Sequence, residues 1–267
     1  MRNVRTSFFI LFFVGLLSSC LSTDLTSFVS SFGNVTSQEA FTNSEAIEAM
    51  KDALVEGITV SASELSTTDG YFGDSALKIF LPEEARVMVD NIGKIPGGQR
   101  LVDDVVLRLN RSAEEAAKDV VPIFTDVIKE MTVADGISIV CGGDNAATEY
   151  LREKTYDKLY NLYRPKMAGV LEKPLVAGIS ADKAWTTLSD KYNEIGEPVN
   201  FAAEVLGKEA PMPPVEVDLA GYATKKALDG LFAKIAEEEA VIRENPLNYA
   251  SDMIQKVFGA VKAGLVN

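Results

Sequence analysis

The 267-residue chain contains no histidine, two cysteines and a single tryptophan. Each shortage excludes something. Without His there is no Ser-His-Asp or Cys-His nucleophile, no imidazole general base and no His-containing zinc site. Two Cys, at positions 20 and 141, are too few for a thiolate cage or an iron–sulfur cluster. Basic charge is also scarce: 26 Lys and Arg face 39 Asp and Glu, giving a net charge of −13 and a pI near 4.6. Broad nucleic-acid binding needs a basic surface, so this balance argues against it. What the chain does have is apolar material, 47 % of its residues, enough for a packed core.

That apolar material is unevenly placed. Arg2 and Arg5 precede an almost unbroken apolar run from Phe8 to Leu17, too short to span a bilayer and of the kind found in secretory leaders. Leu17-Ser18-Ser19-Cys20 follows, and this arrangement resembles the bacterial lipobox. The expectation is a signal peptide over residues 1–19 and lipidation of Cys20, with an ordinary signal peptide and a chance Cys as the alternative. Leu21 and Ser22 stand where enteric bacteria place the Asp that retains lipoproteins in the inner membrane. An outer-membrane anchor facing the periplasm is therefore favoured over an inner-membrane one. Loss of the leader leaves 24 basic against 39 acidic side chains, net −15, so attachment falls to the acyl chains rather than to charge. Cys141 would then have no disulfide partner, and the apolar residues before it suggest a buried thiol.

Residues 20–43, rich in Ser, Thr and Asn, read as the lipidated Cys and a flexible tether, averaging about 25 Å end to end. Asn34-Val35-Thr36 has the glycosylation spacing but carries no such meaning in a bacterial lipoprotein. Residues 44–264 read as one all-α, helical-bundle-like domain of seven to nine helices, two of them long, with short Gly- and Pro-punctuated connections. Thr42 and Glu45 form a capping box ahead of Ile47, Met50, Leu54, Ile58, Ala62 and Leu65 at helical spacing. Pro82 opens a short helix, and a long one follows Gly97-Gly98, with Pro122 expected to kink or break it. Thr132 with Asp135 is expected to cap a short helix ending at Gly142-Gly143. Asp144 or Asn145, Ser180 and Asp218 start further helices, and Pro198 to Pro214 is expected to be irregular.

Several stretches in order resemble one bacterial family, the domain of unknown function numbered 4197. They include Thr68-Asp69-Gly70-Tyr71-Phe72-Gly73, Ile79-Phe80-Leu81-Pro82, Leu109-Asn110-Arg111-Ser112-Ala113-Glu114 and Met131-Thr132-Val133-Ala134-Asp135. Gly142-Gly143-Asp144-Asn145-Ala146-Ala147-Thr148, Lys226 to Phe232, Ile235 to Glu239 and Ile242 to Pro246 continue the series. The resemblance covers about residues 45 to 259. It implies a helical, secreted or lipid-anchored envelope protein and implies no activity. Cys141 departs from the apolar or polar residue expected ahead of the glycines.

Few groups offer chemistry. Ser180 and Lys183 fit the Ser-x-x-Lys nucleophile spacing, but the Ser-Asp-Asn and Lys-Thr-Gly partners are absent, so Ser180 reads more simply as a helix N-cap. Asp104, Arg108, Arg111 and Glu115 recur at spacings of four, three and four, with Asn110 and Glu114 beside them. They are either a solvated, self-paired helix face or a polar network inside the bundle that recognises a partner. Gly142-Gly143-Asp144-Asn145 is a turn or, less simply, an anion cradle. Asp69 to Asp74 encloses Tyr71 and Phe72, either as core plugs or as a ligand loop. Glu237-Glu238-Glu239 reads as a solvated face, with Glu239 paired to Arg243. No catalytic residue, metal site or cofactor is assigned, although divalent cations stay open because carboxylates are abundant.

The expected function is a non-enzymatic binding or scaffolding module of the cell envelope, meeting an unknown envelope protein or small ligand, with Asp69, Asp104, Arg108, Asn110, Arg111, Glu114, Glu115, Asp144, Asn145, Glu238 and Arg243 as candidate residues. Two alternatives accompany it. One is a glycan-directed hydrolase drawing an acid pair from Asp69, Glu114, Glu115 or Glu238. The other is a carrier of a small apolar ligand within the bundle.

Overall fold

The computed structural model describes residues 40–266, so the leader, Cys20 and most of the tether lie outside the described residues. Thr42 builds the expected capping box: its hydroxyl accepts from the Glu45 N–H while the Glu45 carboxylate accepts from the Thr42 N–H at 2.8 Å. This starts α1 (Asn43–Leu65). Phe41, just before it, is buried in the core and belongs to the compact unit of the described helices. Eight more helices follow: α2 (Arg86–Asp90), α3 (Gly98–Ala117), α4 (Val120–Glu130), α5 (Gly136–Val140), α6 (Ala146–Leu171), α7 (Ala181–Val205), α8 (Leu219–Glu244) and α9 (Asp252–Lys262). Three short 3-10 turns accompany them, and no strand occurs among the described residues.

The all-α reading holds, but five helices are long where two were expected. Two prolines explain much of the difference. Pro165 lies inside α6 and Pro198 inside α7, and neither helix breaks. Each removes one helix hydrogen bond, and the carbonyls so freed belong to the exposed residues Asn161 and Glu194, which lowers the cost of losing that bond. The irregular stretch is therefore confined to residues 206–217. Pro122 does mark a break: the chain leaves α3 at Lys118-Asp119, and Pro122 falls in the first turn of α4, where its missing N–H would have no helical partner.

α8 is the hub, packing along α1 on one side and α6 on the other, while α1 also carries α4, α5 and α9. Gly57 allows α1 to approach α8 closely, since a Cβ there would stand 3.2 Å from Ile235. α3 lies against α7 and α6 and is buried on nearly every side from Val105 to Ala117, including Arg108, Asn110, Ser112 and Glu114. The apolar stripes read from the sequence are spent on this core; Met50, Leu54, Ile58, Leu109, Leu159, Leu231 and Ile235 are all fully buried.

The short helix α5 corrects two expectations. Its N-cap is Asp135 itself, which accepts from the Ser138 N–H at 2.9 Å, and Thr132 takes no part. A second cap comes from α1, where the Asn43 side-chain oxygen accepts from Gly136 at 2.7 Å and Ile137 at 3.2 Å. Cys141 is exposed rather than buried. A single-turn helix has one inward side, here Gly136 and Val140, and Cys141 follows at its outward-facing C-cap.

Candidate functional site

α3 carries most of the candidate residues, and its polar side chains act on backbone rather than on solvent. Asn110 lies on the stripe Val106, Asn110, Ala113 and Ala117, all buried. Its amide oxygen accepts from the Ile79 N–H at 2.9 Å and its nitrogen donates to the Ile79 carbonyl at 2.7 Å, as a neighbouring strand would. One turn on, Glu114 accepts from the successive N–H groups of Tyr71 and Phe72, both at 3.2 Å. Arg111 links Glu114 to Asp69, 2.7 Å from each. Burial works against the Arg111 charge, but the Glu114 and Asp69 bonds outweigh it and raise the guanidinium pKa. Asp69, Asn110, Arg111 and Glu114 thus form one cluster, and its purpose is to fix residues 69–80.

That segment plugs the core and also faces outward. Tyr71 is fully buried, donates to the Ala227 carbonyl at 2.8 Å, and fits only because residue 230 is Gly: a Cβ there would lie 2.7 Å from the Tyr71 ring. Burial pushes the Tyr71 hydroxyl far above its usual pKa, so it remains a neutral donor. Phe72 packs under two cations, with the Lys78 ammonium 3.8 Å and the Arg111 guanidinium 5.5 Å from its ring centre. Beyond it Phe80 is 58 % exposed, while its carbonyl accepts from the Tyr222 hydroxyl of α8 at 2.9 Å. Between this segment and α8 runs a cleft of about 540 Å³, rimmed by Lys78, Phe80, Glu83, Glu84, Tyr222 and Lys226.

On the other side of α3, Arg108 pairs with Asp104 at 2.8 and 2.9 Å and donates to the carbonyls of Val176 and Ile179. Glu115 bonds Lys118 at 2.6 Å and reaches Lys173 at 3.3 Å, and the Lys118 bond above all holds its carboxyl below the usual range. These contacts fix residues 173–179, which include Ala177 with φ +47°. Asp69, with φ +70°, is the other non-glycine residue in the left-handed region among the described residues, and it too is tied to α3 through Arg111. The alternating charges on α3 are therefore internal struts and not a solvated face.

The remaining candidates lie elsewhere. Asp144 and Asn145 are exposed in the turn before α6. The anion at the α6 N-terminus is the protein's own: Glu239 of α8, 1 % exposed, accepts from Ala147 at 3.0 Å and from the Thr148 N–H and hydroxyl at 2.8 and 2.7 Å. Glu239 pairs with Arg243 at 2.6 Å as expected, but it is buried rather than solvated. Arg243 also donates to the Val140 and Ile139 carbonyls that end α5, at 2.6 and 3.2 Å. Glu238 accepts from the Tyr249 hydroxyl at 2.6 Å. Ser180 is the N-cap of α7, accepting from the Lys183 N–H at 3.2 Å, with the Lys183 side chain exposed.

Glu239 was the functional group that simple helix-face reasoning mislaid. The signal was present, since Glu239 stands four residues after Ile235 and three before Ile242, on the buried stripe. The four acids proposed for hydrolysis do not form a free pair: Asp69 and Glu114 share Arg111, Glu115 binds two lysines, and Glu238 holds Tyr249. Among the described residues no three His, Cys, Asp or Glu side chains converge as a metal set. No described helix is long and apolar enough to cross a membrane.

No curated protein and no solved structure matches the chain. The family model described as "Protein of unknown function (DUF4197)" matches residues 40–259, from Ala40 into α9. That span includes every clamp around α3 and α8, and the chain belongs to this family of proteins of unknown function.

Proposed function

We propose that the chain is a cell-envelope lipoprotein, held by lipid on Cys20 at the outer membrane and facing the periplasm, whose helical domain is a non-enzymatic binding module. Its contact surface is the cleft between residues 76–84 and α8. The observation that carries this reading is the fixing of residues 69–80 from beneath: Asn110 and Glu114 occupy their backbone groups, Arg111 holds the Asp69 carboxylate, and together they preset Phe72, Lys78 and Phe80. A surface held rigid before binding loses little conformational entropy when a partner arrives. The rim mixes aromatic rings with charges of both signs, Lys78 and Lys226 against Glu83 and Glu84, which suits a polypeptide partner better than a simple ion. The leader pattern and Cys20 support the anchor, and the engaged state of Asp69, Glu114, Glu115 and Glu238 favours binding over hydrolysis.

A photo-crosslinking side chain placed at Phe80 in the cell should give a discrete adduct that the same probe at exposed Glu153 does not give. Loss of that adduct on Lys78→Ala is expected, and identical adducts from both positions would overturn the surface assignment. Cys20→Ser should move the protein from the membrane to the soluble fraction. A variant that still sediments with membranes would overturn the anchor.

A further inference from the structure

The second half of α7 carries apolar side chains that the fold does not bury. Up to Gly196 the helix packs inward through Trp185, Leu188 and Tyr192, but from Glu197 to Val205 it buries no residue. The chain nevertheless places Phe201 and Val205 one turn apart and adds Leu206, leaving them 67 %, 70 % and 71 % exposed. Single exposed apolar residues are ordinary; three adjoining ones on one helix end are the mark of a contact surface.

The same stretch is shaped. Asn200 clamps the returning chain, accepting from the Met212 N–H at 2.9 Å and donating to its carbonyl at 2.6 Å. Gly196 lets Met212 press against the helix, since a Cβ would meet it at 3.1 Å. Folding residues 207–214 back along α7 leaves a groove of about 620 Å³ beside Phe201, large enough for apolar side chains of a bound peptide. Its charge is one-sided. Glu197 and Glu204 line it and Glu209 stands in the chain between the lining residues Lys208 and Ala210; all three are exposed and without an ion-pair partner among the described residues, against Lys208 alone.

We infer that this groove is a docking site for a basic amphipathic helix of a partner protein. Apolar residues of the partner would cover Phe201, Val205 and Leu206, and its Lys or Arg side chains would meet Glu197, Glu204 and Glu209. Charge complementarity selects this occupant: an anionic lipid or an acidic peptide would meet three unpaired carboxylates. The site stands on observations separate from the Phe80 cleft and does not depend on it.

The test is fluorescence anisotropy of the purified chain with a labelled helical peptide of about 14 residues, Leu on one face and Lys on the other. A peptide with Glu in place of Lys is the counter-probe. Saturable binding of the Lys peptide alone is expected. It should weaken at least tenfold with Phe201→Ser plus Val205→Ser, and at least tenfold with Glu197→Gln, Glu204→Gln and Glu209→Gln together. Neutralising the exposed Asp90, Asp126 and Glu172 to their amides should change it less than threefold, which separates the groove from the chain's overall negative charge. Equal binding of both peptides overturns the inference, as does equal loss from the two sets of neutralisations. Binding of zwitterionic vesicles in place of the peptide, lost with Phe201→Ser, would overturn it too.

Discussion

Helices α3 and α8 each carry a buried glutamate that accepts two successive backbone N–H groups from another segment, and each pairs it with an arginine about one turn away. They hold different things. Glu239 caps a 26-residue helix, satisfying first-turn donors that the Asn145 side chain leaves free, and Arg243 ties the end of α5 to the same point. Glu114 holds a non-helical segment that carries Phe72, Lys78 and Phe80 to the surface. The surroundings differ as well: the Arg243 side chain is 10 % exposed and Arg111 22 %, so water reaches the α3 clamp more easily. One clamp joins elements of the core. The other presets a surface.

The largest expected effect separates the two. Glu239→Ala removes the cap of α6 and leaves Arg243 buried without its carboxylate, a loss of about 3–5 kcal/mol by urea unfolding. Glu114→Ala, at the wetter site, should cost about 2–3 kcal/mol on the same measurement, since Arg111 keeps Asp69. Equal losses would remove the distinction drawn here.

Hydrogen exchange sharpens it. Asn110→Ala strips the Ile79 N–H and carbonyl of their partners, a loss of about 2 kcal/mol, and should speed exchange of the Ile79, Tyr71 and Phe72 amides while α6 stays protected. Glu239→Ala should instead expose Ala147 and Thr148. Exchange that spread over the whole domain in both variants would show that the α3 clamp also governs the core.

A smaller effect probes the strain that α3 holds in place. Ala177→Gly should stabilise the protein by about 0.5–1 kcal/mol, because glycine accepts the φ of +47° at residue 177 without a Cβ clash. No gain in melting temperature would mean that alanine bears the φ of +47° there without strain.

The smallest concerns acid, away from both clamps. A bond from Lys256 of α9, reinforced by the Thr42 N–H, holds the Glu45 carboxyl at about 2, below its ordinary 4.5. The folded pKa is depressed, so the contribution is complete above about pH 4.5 and disappears as pH falls towards 2. Glu45→Gln should flatten the stability profile slightly in that window, and an unchanged profile would dismiss the Glu45–Lys256 tie.

Much of the fold could be read from residue order alone. The capping box at Thr42, the N-caps Ser180 and Asp218, and the apolar spacing along α1, α3 and α8 are local, and local chemistry repeats in the structure. Where local rules failed, a distant residue or exposure to solvent had intervened. Pro198 does not end α7, and the residue whose carbonyl it frees, Glu194, is exposed; the start of α5 is held by Asp135 and also by Asn43, far away in sequence. The candidate cluster was half legible: spacing put Asp104, Arg108, Arg111 and Glu115 near one another, but nothing in the spacing told whether that face met water or protein.

The sequence by itself determined an all-helical chain without imidazole chemistry, strongly acidic, with its elements and most of their caps in place, because helix periodicity and capping involve residues within one or two turns. Only the tertiary structure decided which charges are struts, that Glu239 fills the anion position of α6, and that Phe80 and Phe201 face outward. Those outcomes depend on what packs against each side chain, and packing is settled between segments that the sequence places far apart, Tyr71 and Ala227 among them.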